Sequence, residues 1–141
     1  MPIVYVGGQT AGRTNPSAAL LVTFALTGGI DTVPRGGDFV IVTAVTGSAA
    51  GNPAMAVTTP TGYTALGQLN QSAVTADTSM NVSYKRMGGT PNADVTIPGT
   101  GSNAFGEAYA IQVFRGVDAN SPLDVTSVSA GGIATGRPNP G

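Results

Sequence analysis

No stretch of this chain sustains an apolar 3.6-residue period for three turns, and glycine and proline interrupt most of its length, so no long amphipathic helix can be written on it. Between the interruptions lie runs rich in Val, Ile, Leu and Thr that alternate with a period of two, the pattern of strands with one buried face. With 21 Gly and 10 Pro in 141 residues, turn-forming positions are as frequent as short strands require. The constraint therefore selects an all-β chain, and a length of 141 residues fits a single domain with a real core.

The runs can be placed in order. A short run spans Ile3 to Val6, and Ser17 to Thr27 reads as one half-buried strand with Leu20, Val22, Phe24 and Leu26 on one face. Phe39 to Val45 is apolar on both faces, which predicts a central strand. A weaker strand follows at Met55 to Thr59, and Pro60-Thr61-Gly62 turns the chain into Tyr63 to Leu69. Ser79 to Met87 alternates cleanly, Met80, Val82 and Tyr84 against Asn81, Ser83 and Lys85. Ala93 to Ile97, Phe105 to Val117 and Leu123 to Ser129 complete the set. In the longest of them Phe105, Tyr109, Ile111 and Val113 share a face, while Ala108 and Ala110 keep the other thin enough for a second layer to approach.

Strands of this number with Gly/Pro turns predict an antiparallel two-sheet sandwich, jelly-roll-like, with extended terminal arms. The division expected is an N-terminal arm over residues 1–16, a sandwich domain over 17–130, and a Gly/Pro-rich C-terminal arm or linker over 131–141. In the C-terminal segment Gly136-Arg137-Pro138-Asn139-Pro140 is held extended by its prolines.

Composition narrows the chemistry. The chain has no His, Cys or Trp, and 9% of its residues are charged, which removes imidazole and thiolate, the usual agents of polar catalysis near neutral pH. A formal charge of −1 gives no electrostatic reason to expect nucleic acid or an anionic membrane as partner. No apolar run approaches the ~18 residues that span a bilayer, and the start at Met1 lacks the basic and apolar regions of a secretion signal. The expectation is a protein that is not an enzyme and that holds no cofactor.

Several residues nevertheless qualify as candidates. Asp118, Asn120 and Asp124 form a local group of oxygen ligands suited to a hard cation such as Ca²⁺, against which stands a tight turn that Asp118 and Asn120 cap through their own backbone. Arg115 could pair with Asp118 or Asp124. Glu107, among Phe105, Tyr109 and Ile111, is expected either to face solvent or to meet Lys85 or Arg86 on a neighbouring strand. Gly99-Thr100-Gly101-Ser102-Asn103-Ala104 fits the spacing of a dinucleotide loop, but a strand pattern follows where a helix is needed, so it reads as a turn. Tyr5, Tyr63, Tyr84 and Tyr109, with Gln68, Asn70, Gln71 and Asn81, could form a glycan-binding face.

Four segments carry a resemblance: Pro60-Thr61-Gly62-Tyr63-Thr64, then Val82-Ser83-Tyr84-Lys85-Arg86, then Ala108 to Asp118 with its Arg115-Gly116-Val117-Asp118, then Ser121-Pro122-Leu123-Asp124-Val125. In this order they resemble a group of phage-associated β-sandwich structural proteins, over roughly positions 38 to 140. The resemblance implies a non-enzymatic virion protein, a capsid decoration or a tail or fibre component, located in the virion and bound to other virion proteins. Sequences of that group continue past a Pro-Asn-Pro segment, whereas this one stops at Gly141, which fits either a shortened chain or a sandwich completed by a neighbouring subunit. Self-association as a homo-oligomer is expected to run through the ends of the chain, with Met1, Pro2, Ile3, Val4 and Tyr5 at one and Arg137, Pro138, Asn139 and Pro140 at the other. The alternative is a carbohydrate-binding module in a receptor-contacting tail protein.

Overall fold

A computed structural model of the chain describes residues 2–49, 57–72, 76–100 and 104–123. Among them every regular element is a strand: β1 (Val4–Thr14), β2 (Leu20–Thr23), β3 (Phe39–Ala49), β4 (Thr64–Ser72), β5 (Ala76–Arg86), β6 (Asp94–Ile97) and β7 (Ala104–Arg115). They form two antiparallel sheets, a five-stranded one in the order β1-β7-β3-β5-β4 and a two-stranded one pairing β2 with β6. Phe39 to Val45 is central as its two apolar faces require, since β3 lies between β7 and β5.

One core joins the sheets. Val22, Val95 and Ile97 of the smaller sheet cluster with Val40, Val42 and Ala44 of β3 and Tyr109, Ile111 and Val113 of β7. The alternation read in Ser17 to Thr27 holds, with Val22, Phe24 and Leu26 buried and Leu21, Thr23, Ala25 and Thr27 exposed. Regular pairing is shorter than the alternation: beyond Thr23 the chain is held by Phe24 N–H on Ala93 O and by Thr27 on Gly8.

The first sixteen residues are not an arm. Val4–Thr14 is an edge strand paired along its length with β7, from Val4 opposite Arg115 to Thr14 opposite Gly106, and Val6 is fully buried. Pro2 and Ile3 precede that strand and are exposed, while Met1 lies outside the described residues. The sequence does not mark this strand because Gly7 to Thr14 carries no apolar alternation: an edge strand need bury little on either face. The C-terminal arm expected over 131–141, with Arg137, Pro138, Asn139 and Pro140, lies outside the described residues. So do most of the last expected strand and part of the Met55 to Thr59 strand, whose described remainder, Val57 to Thr59, forms no regular strand.

The smaller sheet covers only part of the larger one. On β5 the side facing inward is the polar one: Ser79, Asn81 and Ser83 are buried, while Met80, Val82 and Tyr84 lie half-buried on the outer face. Those inward groups hold the segment after Val57 by hydrogen bonds. Val57 N–H donates to Ser79 Oγ (3.1 Å), Asn81 Nδ2 to Thr59 Oγ1 (3.2 Å), and Gln68 Nε2 to Val57 O (3.3 Å). Phe105 shares parity with Tyr109 but stands past the end of the core, 68% exposed.

The loop that follows Thr27 returns against β1, where Asp31 N–H donates to Val6 O at 3.1 Å. Gly29 allows that approach, because a Cβ built there would sit 2.2 Å from Val6 O. Gly29→Ala is expected to force the loop off β1 and destabilise the protein by about 1–3 kcal/mol, read as a lower urea midpoint at unchanged slope.

Candidate assembly surface

Two ionic groups fix the two ends of the large sheet. At one end Arg115, the last residue of β7, donates from Nε to Asp38 Oδ1 (2.8 Å) and from Nη2 to Asp38 Oδ2 (2.9 Å). Asp38 is 1% exposed and also accepts from Arg35 N–H at 2.8 Å. Asp31 joins through Arg35 (2.7 Å) and Arg115 (3.5 Å), its carboxyl held below the ordinary range first by the Thr32 N–H and then by Arg35. Among the described residues the acids that Arg115 meets are therefore Asp38, from the loop entering β3, and Asp31, and not Asp118. Arg115→Ala is expected to leave Asp38 a buried charge without its guanidinium and to cost about 3 kcal/mol in denaturant unfolding; a loss below about 1 kcal/mol would contradict this role.

Asp118 Oδ1 accepts from Asn120 N–H (2.7 Å) and Ser121 N–H (3.1 Å), and these two bonds lower its pKa. This is an Asx turn, with one carboxylate oxygen committed to backbone, and no group of three or more potential metal-ligating side chains occurs among the described residues. Asp124 lies outside them.

At the other end Glu107 is buried and paired, but with neither Lys85 nor Arg86. Arg13 of β1 stands opposite it in register and donates from Nε to Glu107 Oε2 at 2.6 Å. Oε1 is buried without a hydrogen-bond partner, as is Thr46 Oγ1 on the facing position of β3. Burial raises the Glu107 carboxyl above the ordinary glutamate value despite the opposing pull of Arg13. A raised folded value means that, as pH climbs, the unfolded chain releases this proton first, so the carboxyl subtracts stability across that window and none below it. Relative to Glu107→Gln, the wild-type chain is expected to lose stability as pH rises above the ordinary glutamate value of about 4, measured by urea unfolding from acid to neutral pH; a difference independent of pH would refute it.

The four tyrosines do not share a face. Tyr109 belongs to the core, and Tyr63 packs against it with a buried hydroxyl whose pKa burial pushes up to about 12. Tyr5 and Tyr84 lie on the outer face of the large sheet, but on β1 and β5. Between them stand Phe114 and Phe39, so the four rings make a ladder across four strands: Tyr5 to Phe114 at 5.5 Å, Phe114 opposite Phe39 in register, Phe39 stacked on Tyr84 at 4.9 Å. Asn81 faces inward, Gln68 reaches Val57 O, and the side chains of Asn70 and Gln71 are outside the described set.

Below the ladder the outer face becomes low and uncharged. Thr10, Gly12 and Thr14 of β1, Ala110, Ala108 and Gly106 of β7, and Thr43, Val45 and Gly47 of β3 lie side by side in register. Their short side chains leave a shallow trough of about 840 Å³ over Gly12, Gly106, Gly47 and Ala108, continued by one of about 370 Å³ over Thr10, Thr43 and Ala110. Ala108 and Ala110 announce this surface in the sequence; the glycines and threonines beside them join it only through strand order. No family model, curated protein or solved structure matches the chain.

Proposed function

We propose that this protein is a non-enzymatic structural protein of a phage virion, a capsid decoration or a tail or fibre component, that works by packing against copies of itself or against a particle surface. Its two sheets are read as a jelly-roll-like sandwich. The observation that carries the proposal is the outer face of β1, β7 and β3: a shallow strip of Gly, Ala, Thr and Val in register, whose only nearby charges, Arg13 and Glu107, belong to the opposite face, and which a second protein layer can approach closely. The aromatic ladder gives that strip one bulky margin. The phage-type segments around Tyr63, Tyr84, Arg115 and Leu123 support the virion setting.

Peptide mass spectrometry of density-purified particles of the phage that encodes the chain is expected to find it in many copies. Ala108→Lys, a charge in the middle of an exposed strip, is expected to leave the thermal midpoint within a few degrees while lowering the recovery of added protein on particles lacking it by at least about tenfold. Absence of the chain from particles would overturn the proposal, and micromolar binding on a glycan array in that case would point to the carbohydrate-binding alternative.

A further inference from the structure

The edge of β1 is divided into a closed half and an open half. Gly8 exchanges both backbone hydrogen bonds with Thr27, N–H to O and O to N–H at 2.9 Å each, and Val6 O accepts from Asp31 N–H. Because backbone groups alternate in direction along a strand, these contacts fix which residues point away from β7: Val6, Gly8, and by continuation Thr10, Gly12 and Thr14. Asn15 N–H, of the opposite parity, donates to Phe105 O on the β7 side, as this alternation requires.

After Thr27 the neighbouring chain leaves the edge. Gln9 bridges the departure, its Nε2 donating to Thr23 O (3.3 Å) and its Oε1 accepting from Ala25 N–H (2.9 Å). Thr10, Gly12 and Thr14 are exposed, and among the described residues no hydrogen bond occupies their N–H or C=O groups. Among the described residues the open half of this edge carries no lysine and no proline, no strand or loop covers it, and its one charge, Arg13, points inward and is neutralised by Glu107.

We propose that two copies of the chain pair through this open half of β1, antiparallel about a two-fold axis at Gly12, joining two five-stranded sheets into one. The inference rests on the self-associating structural role proposed above and names the contact. The segment is self-complementary in this register. Gly12 meets Gly12 of the second copy, and Thr10 meets Thr14 on each side, so the three outward residues of each strand all fall in hydrogen-bonded pairs. The Thr pairs are favourable neighbours, and Ala11 faces Arg13, which keeps the two guanidiniums from standing opposite each other. The register also makes the uncharged strip continuous across the axis.

Three variants test this. Gly12→Pro removes an N–H that has no partner within the chain, so far-UV circular dichroism and the thermal midpoint should remain near wild type while dimerisation, followed by sedimentation equilibrium, weakens at least about tenfold. The chain contains no cysteine, so Gly12→Cys creates a single thiol. Across the axis its Cα lies about 5.5 Å from its copy, within disulfide reach, and mild oxidation should yield a covalent dimer. Thr14→Cys, about 14 Å from its own copy in the same register, should not cross-link. Wild-type chains that stay monomeric at all concentrations, an undiminished dimer with Gly12→Pro, or equal cross-linking at positions 12 and 14 would each overturn the edge pairing. If wild-type chains associate but these variants behave otherwise than stated, the edge is wrong and self-association through the sheet face stands; if the chain is also absent from particles, the structural role falls with it.

Discussion

The bidentate contact between Arg115 and Asp38 sets the frame of the molecule. It ties the last residue of β7 to the residue just before β3, two neighbouring strands in the middle of the large sheet. Asp38 is held in turn by the Arg35 N–H, and Asp31 brings in the loop that closes the first half of β1. A chain with few charges spends four of them at one corner, where a buried carboxylate needs its full set of donors. Strand pairing elsewhere is non-directional along its length, since a slip by two residues keeps the same face buried; an ionic lock at one end removes that freedom.

What could be read in the sequence was what depends on neighbours along the chain. Period-two runs located β3, β4, β5, β6 and β7 to within a few residues, and the two-sided apolar run at Phe39 announced the central strand. The sign of a pattern was less visible. Ser79 to Met87 alternates, but alternation does not say which side turns inward, and here the hydroxyl and amide side does because a hydrogen-bonded segment after Val57 covers it instead of a sheet. The edge strand β1 is hidden for a related reason: Gly7 to Thr14 has no apolar face to betray it, and only its pairing with β7 makes it a strand.

The same limit applied to the candidate residues. Glu107 was suspected from its apolar company, yet its partner, Arg13, is 94 positions away and could be matched only once β1 was known to flank β7. Arg115 likewise is paired with Asp38, 77 positions back, rather than with Asp118 just ahead of it. Tyrosines that the sequence invited one to group were separated by sheet face, while the ladder that did form drew on Phe39 and Phe114. In each case distance along the chain, not chemistry, hid the answer. The Asx turn at Asp118, a purely local device, was the exception that local reasoning could reach.

The lining of β5 has a consequence for how such a subunit behaves in a crowd. Where the β2–β6 layer ends, the interior surface consists of hydroxyls and amides, and what lies on it is fastened by bonds that water can replace. When that corner breathes, it presents wettable ground instead of grease, so transient opening carries little risk of gluing one molecule to another in the wrong way.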